Sequence, residues 1–575
     1  MPTPERSSMS AVKVPGDTAD HACQSALLRR TVWAFIALGL LARVVRYGLR
    51  FPLWEDECFL CANLIDRGYR ELLQPLDYNQ AAPFLFLWLQ KLVVETVGFH
   101  EWGLRLVSFA ASVASLFLFR HLAARLTSGR TLVLAVAAFA VGYPAIRYAA
   151  EAKPYGTDLL AALVLLTLCA EWRVHTAQSR WLWMLAATAL PLTMLSFPAS
   201  FVGGGVSLTI LAVAIKAGLH RSPRIVCAWV GYNVALIGGF LLLWSLSAHV
   251  QNAATGDVMR TYWEAHFPPV TRPIDLAWWT IATHAGDVAA WPVGGPDGAS
   301  TFTFLCCLAG VAVFVRSRQW TVLGLCLLPA AVNLFAAALR LYPYGGHIRL
   351  AIYLGPAVCL LFAAGLSELR LRFHRLPSQP RACVASLVVL GLIGLGSIAR
   401  DVACPWKAPS DERARAFAQW FWPSAEFDGE VACLHTDLRQ DFVRGGDSRP
   451  ACGAQYVCNQ FIYSPRHRER RPPDFNRVQA GCPLRCVQYR IGHEQFPFDQ
   501  RGFERWLAEM ETRFLLAGRE TFAIPRYDKH DAVLATVDHI DVLTFVARPG
   551  MQDRQSPVST GQELAIDSRS LVPLR

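Results

Sequence analysis

Apolar residues in this chain are gathered into uninterrupted runs of about 17 to 25 residues, the length a helix needs to cross a bilayer. They recur over the first 400 positions, at 32–48, 103–120, 131–147, 156–172, 181–195, 199–215, 225–246, 300–315, 320–340, 350–368 and 382–399. Runs with no polar face have nothing to offer water, so each is predicted to be a helix in lipid. The segment up to about residue 30 is polar and no cleavage pattern follows the first run, so 32–48 is expected to be a retained span. The stretch 82–97, APFLFLWLQKLVVETV, is also apolar. Counting it as a crossing would move every later basic connection to the opposite side, so it is predicted to be a re-entrant or interfacial helix.

The pattern changes after about residue 400. No later run could span a membrane, Arg and Asp become frequent, and short apolar stretches such as Val431–Leu434 and Val542–Ala547 resemble strands. The predicted fold is therefore an all-α polytopic membrane domain of about 11 transmembrane helices followed by a small extracytoplasmic α/β domain. Its boundaries are a cytoplasmic segment 1–30, a membrane domain 31–400 with a large first outer loop at 49–102, and a soluble domain 401–575. Composition agrees: 53% of residues are hydrophobic and 17% charged, against about 25% charged in a soluble domain.

The net charge of +11 would suggest nucleic-acid binding, but its location excludes that. Arg29 and Arg30, Arg120, Arg125 and Arg130, Arg173 and Arg180, Lys216, Arg221 and Arg224, Arg316 and Arg318, and the group from Arg370 to Arg381 fall in every second connection. The positive-inside rule assigns those connections to the cytoplasm. The segments 49–102, 148–155, 196–198, 247–299, 341–349 and the whole tail then lie outside. In an oxidising compartment Cys404, Cys433, Cys452, Cys458, Cys482 and Cys486 are expected to form disulfides, with a zinc site as the alternative.

Ionisable groups at the outer ends of spans are expensive unless they face a wet cavity, which makes them candidates for chemistry. Trp54-Glu55-Asp56-Glu57 follows the first span and opens a short helix whose apolar face runs through Phe59, Leu60 and Leu64. Acids there suit the helix dipole, which is the plain reading. Three adjacent carboxylates also repel, and partial burial would raise a pKa toward that of a general base; oxygen ligands could equally hold a divalent cation. At a second outer turn stand Tyr148, Glu151, Lys153, Pro154, Tyr155 and Asp158. Pro154 breaks the helix after Lys153, leaving either a snorkelling anchor or a point charge for phosphate. A third holds Tyr342-Pro343-Tyr344-Gly345-Gly346-His347-Ile348-Arg349, and His100, Glu101, Trp102 and Arg105 begin the second span.

Acids for proton removal, cations for phosphate and a lipid-facing scaffold together suit sugar transfer from a lipid-linked phosphate to an acceptor hydroxyl. The residues also resemble a known family. The acidic pair after the first span, then Tyr78-Asn79-Gln80-Ala81-Ala82-Pro83-Phe84, Glu101-Trp102-Gly103-Leu104-Arg105-Leu106 and Glu151-Ala152-Lys153-Pro154-Tyr155, are in order similar to the GT-C superfamily. The branch resembled contains protein O-mannosyltransferases and lipid A aminoarabinose transferases, over about residues 30–400. The resemblance implies a GT-C-like membrane domain that uses a polyprenyl-phosphate-sugar donor and inverts the anomeric centre. It matches Asp56 and Glu57 to the catalytic pair, with Asp56 as base, and implies donor-phosphate binding by Lys153 and Arg349 with Arg105 behind them. Glu151, Tyr155, Asp158 and His347 are expected in support. The acceptor could be a glycan, a lipid or a protein. Gln80-Ala81-Ala82-Pro83 replaces the family's histidine-proline-proline segment, and the cysteine-bearing tail matches no family pattern.

Two other functions fit parts of the pattern. A transporter or flippase of lipid-linked saccharides would carry charges in a membrane cavity, more typically mid-span and in paired broken helices. A membrane thiol oxidoreductase would use Cys58 and Cys61, whose spacing can lower a thiol pKa.

Overall fold

A computed structural model describes residues 15–176, 178–249, 251, 260–373, 379–434, 454–464, 475–490, 500–527 and 533–548. A helix stands at each apolar run: α1 (Pro15–Gly48), α4 (Glu101–Leu126), α5 (Gly129–Ala140) with α6 (Tyr143–Arg147), α7 (Tyr155–Val174), α8 (Arg180–Leu195), α9 (Ala199–Lys216) and α10 (Pro223–Leu243). These are followed by α11 (Pro273–Ala285), which stands in the connection between runs, and by α12 (Thr301–Arg316), α13 (Trp320–Ala338), α14 (Gly355–Phe373) and α15 (Gln379–Ala403). Among the described residues six helices are long and apolar enough to cross a membrane, or seven if α5 and α6, bent by 42° at their junction, count as one span. Of the remaining runs, those of α8 and α12 form helices of only 16 residues each, and α1 and α7 also fall outside that set. The chain is thus a multi-pass membrane protein.

The bend between α5 and α6 follows from Gly142 and Pro144. Proline lacks the N–H that would continue the ladder, and the Tyr143 N–H leaves the helix to donate to Pro292 O at 2.8 Å. The run at 82–97 becomes α3 (Phe84–Thr96), started by Pro83 and packed against α4 and α8. With α2 (Glu55–Asp66) it builds the first loop around its own apolar cluster, which includes Leu60, Leu64, Leu72, Phe86 and Leu87.

Buried arginines tie the bundle together near this loop. Arg43 donates through Nε to Ser112 Oγ and through Nη1 to Gly39 O and Ala140 O. Arg46 meets Asp401 at 2.7 Å, joining the ends of α1 and α15. Helices α4 and α7 approach tightly at Gly156, where an added Cβ would stand 2.7 Å from Ser108 O.

The tail forms one four-stranded sheet, β1 (Glu430–Leu434), β2 (Leu484–Arg490), β3 (Phe514–Tyr527) and β4 (Val533–Ala547), in the order β1-β2-β4-β3. Only β1 and β2 run parallel. Alternation along β2 divides the domain into two cores. Val487 and Tyr489 pack with Phe421 and Trp422 of α16 (Pro409–Asp428), while Leu484 and Cys486 pack with Phe503 and Met510 of α18 (Gln500–Arg513).

One tail helix does not belong to the sheet alone. Helix α17 (Ala454–Tyr463) places Ala454, Val457, Cys458, Phe461 and Ile462 inside the apolar cluster of the first loop. This distribution bears on the expected disulfides. Cys404, Cys458, Cys482 and Cys486 are unbridged, because Cys458 is spent in the loop cluster and Cys486 in the sheet. Cys452 and the Cys433 side chain lie outside the described residues.

Candidate active site

Helix α2 starts where the chain leaves α1 in extended form, and Asp56 and Glu57 occupy its first turn. Successive helical residues point about 100° apart, so the two carboxylates part. Asp56 turns to an opening and Glu57 turns inward.

Asp56 is bridged by two cations from distant segments. Lys153 Nζ donates to Oδ1 at 3.1 Å and Arg349 Nη1 to Oδ2 at 2.8 Å. The Asp56 side chain keeps 21% of its surface exposed, against 6% for Lys153 and 13% for Arg349. Of the three, the carboxylate is thus the most open to a small ligand. Burial pushes the Asp56 pKa up, but Lys153 and Arg349 together outweigh that and hold it below the usual carboxylate value. The upward shift expected from three crowded acids is not what the fold provides, since the neighbours of Asp56 are bases.

Lys153 is itself fixed. Its Nζ also donates to Gln80 Oε1 at 2.6 Å, and its carbonyl accepts from Ser108 Oγ at 2.8 Å. Gln80 follows two residues in left-handed conformation, Tyr78 at φ 62° and Asn79 at φ 49°. For a tyrosine this costs about 1–3 kcal/mol. Burial of the Tyr78 ring, stacked on Phe59 at 5.7 Å between centroids, holds it there. Gln80 stood out in the sequence only as a departure from a family pattern; in the fold it is the neutral partner of Lys153. Gln80→Glu is expected to neutralise Lys153 and raise the Michaelis constant for an anionic donor about tenfold or more, at the scale of one charge-assisted bond. Steady-state kinetics over donor concentration checks this.

Arg349 is aimed by the turn before it. Gly345 and Gly346 adopt φ of 66° and 73°, and a Cβ on Gly346 would stand 2.1 Å from the His266 ring. The glycine pair is thus required by close packing. His347 accepts from the Arg349 N–H through Nδ1 at 3.3 Å. Burial, with Arg349, Arg147 and Lys407 nearby, lowers the His347 pKa to about 3, so the ring is neutral and orients Arg349 without titrating.

Glu57 and Arg105 form a separate unit. Arg105 Nε and Nη2 reach Glu57 Oε1 and Oε2 at 2.8 and 2.6 Å, and its other donors go to Phe51 O and Pro52 O. Glu57 Oε1 also accepts from the Ala152 N–H at 2.7 Å. Both side chains are almost fully enclosed. Arg105, expected on phosphate, has spent its donors on the loop, and Glu57, expected in the catalytic pair, is buried beneath Asp56 as a brace for the turn that carries Lys153.

Of the remaining candidates, Tyr155 stands within electrostatic reach of Asp56 and Arg349, and Glu151 within reach of Lys407, whereas Asp158 lies elsewhere. Glu151 pairs with Arg147 at 3.1 Å, and the Tyr155 ring packs edge-on to Tyr148 at 5.0 Å. Asp158 is buried one turn into α7, beside Ser196, apart from the Asp56 cluster. Among the described residues no three His, Cys, Asp or Glu groups come together as a metal-ligand set. Cys58 and Cys61 are fully buried, and burial, with Cys458 against Cys58, pushes both thiols up. A reactive dithiol needs the opposite shift. Under native conditions a maleimide is expected to label the exposed Cys404 and leave Cys58, Cys61 and Cys458 unmodified, as read by peptide mass spectrometry.

The solved structures similar to this chain include ArnT and an archaeal oligosaccharyltransferase. ArnT from Cupriavidus metallidurans in the apo state aligns with a TM-score of 0.46 at 13% identity, covering 88% of this chain and 97% of that one. ArnT bound to undecaprenyl phosphate aligns with a TM-score of 0.43 at 14% identity, covering 89% and 97%. The archaeal oligosaccharyltransferase AglB from Archaeoglobus fulgidus, in complex with an inhibitory peptide and a dolichol-phosphate, aligns at 0.41 and 13%, covering 75% and 64%. No family model and no curated protein matches the sequence.

Proposed function

We propose that this protein is a membrane glycosyltransferase that moves a sugar from a polyprenyl-phosphate donor to an acceptor hydroxyl on the non-cytoplasmic face, with inversion. The observation that carries the reading is Asp56 held between Lys153 and Arg349 at an accessible point beside the first loop. In the resting protein this carboxylate occupies the place of an anion. A donor phosphate competes for the same two cations, and when it takes them Asp56 loses the charges that depress its pKa. The base is thereby released as the donor arrives. Asp56 then accepts the proton of the acceptor hydroxyl as that oxygen attacks the anomeric carbon, and the lipid phosphate leaves with its negative charge met by Lys153 and Arg349. Gln80 keeps Lys153 on station and neutral His347 aims Arg349. The non-cytoplasmic assignment is supported by the alternation of basic connections along the sequence.

The test is to incubate the purified full-length protein with a panel of radiolabelled polyprenyl-phosphate sugars and acceptor extracts, and to follow release of sugar from the lipid. Transfer or hydrolysis from at least one donor is expected. No turnover from any of them sinks the reading.

A further inference from the structure

Every cation around Asp56 described above already has a carboxylate. Lys153 and Arg349 share Asp56, Arg147 holds Glu151 and Arg105 holds Glu57. Lys407 differs. It lies in the short connection between α15 and α16, and among the described residues no carboxylate stands within ion-pair distance of it. Its ammonium rests on the face of the Trp54 ring, two residues before Asp56, while the residue retains an exposed flank. An ammonium on an aromatic face is stabilised but not neutralised, so its charge remains available.

The tail fixes this position. Asp411 Oδ2 accepts from the Ala408 N–H at 3.1 Å, capping the start of α16 beside Lys407. Gln455 of α17 donates at 2.7 Å to Asp411 Oδ1 and at 3.1 Å to Leu53 O. One glutamine thus ties the Lys407 segment to the chain just before Trp54. Arg415 of α16 adds a bond to Arg50 O from the same side.

Resting on the reading of the site given above, we infer that Lys407 is a third donor-phosphate ligand, contributed by the tail, so that the tail completes the binding site. The negative charge it meets is that of the lipid phosphate, whose charge grows as the sugar departs. Lys153 and Arg349 must be drawn from Asp56, whereas Lys407 has no carboxylate to give up and can engage the incoming phosphate first. Groups of both signs face it: Glu151 and Arg147 from the turn before α7, Asp56 from α2, His347 from the glycine turn and Asp411 from α16. Protein packed around the ammonium lowers its pKa to about 8, and burial raises that of Asp411 to about 7.

The experiment compares wild type, Lys407→Ala and Lys407→Arg as full-length proteins, each first checked for an unchanged unfolding temperature. Donor Michaelis constants are measured from about pH 6 to 10, alongside binding of farnesyl phosphate as a soluble probe. Lys407→Ala is expected to raise the donor Michaelis constant about tenfold or more, in larger proportion than it lowers kcat. Wild-type affinity is expected to fall as pH rises through about 8, because the free lysine loses its proton there. Lys407→Arg, charged throughout, is expected to restore affinity and remove that fall. Unaltered affinity in Lys407→Ala, or an alkaline fall that persists in Lys407→Arg, overturns the inference. The two failures are distinguishable: if wild type turns over no donor while Lys407→Ala still weakens farnesyl phosphate binding about tenfold, the lysine assignment holds and the proposed reaction falls.

Discussion

Asp56→Asn is expected to lower kcat for sugar transfer by about a hundred- to ten-thousand-fold, the range over which a positioned base contributes, while donor binding is retained or tightened. The second half is the more discriminating. A substitution that merely damaged the site would weaken the donor, whereas removing the resting anion releases Lys153 and Arg349 from their present partner and lowers the cost of giving them to phosphate. Farnesyl phosphate titration and transfer kinetics on the same preparation measure both terms. Weakened binding together with lost turnover would contradict the competition between Asp56 and the donor, and full retention of kcat would remove Asp56 as the base.

The second large effect concerns stability. Glu57 and Arg105 exchange two bonds in a nearly dry setting, and breaking such a pair from one side strands a charge at a cost of about 3–5 kcal/mol. Glu57→Ala and Arg105→Met are each expected to reduce the unfolding temperature and the yield of folded protein sharply. The double variant is expected to recover part of the loss, since an apolar replacement of the whole pair leaves no buried charge. Thermal unfolding of the four proteins in one detergent gives the cycle. If Glu57→Ala unfolds like wild type yet loses turnover, Glu57 belongs to the chemistry and not to the brace.

These expectations show where the sequence was legible. Each apolar run holds a helix, and Asp56, Lys153 and Arg349, singled out in three separate segments of the sequence, meet in the structure. Adjacency in sequence then misled. Asp56 and Glu57 look like one acidic pair, and only the rotation between helical neighbours separates an accessible carboxylate from a buried one. Arg105 carried the right charge at the right end of a span, but a linear pattern cannot reveal that its donors are already taken. Gln80 was hidden for the opposite reason, being uncharged. Lys407 was overlooked because the composition break near residue 400 suggested a separate tail, whereas Gln455 and Cys458 bind that tail to the first loop.

The burial of α17 within the first-loop cluster also imposes an order in time. Cys58 and Cys458 touch although they stand 400 positions apart in sequence. While the bundle is being threaded into the bilayer, the loop that carries Asp56 lacks the residues that fill its interior. The nascent chain therefore holds an unfinished first loop until α17, in its last quarter, has been synthesised, and the loop is completed only when the tail docks.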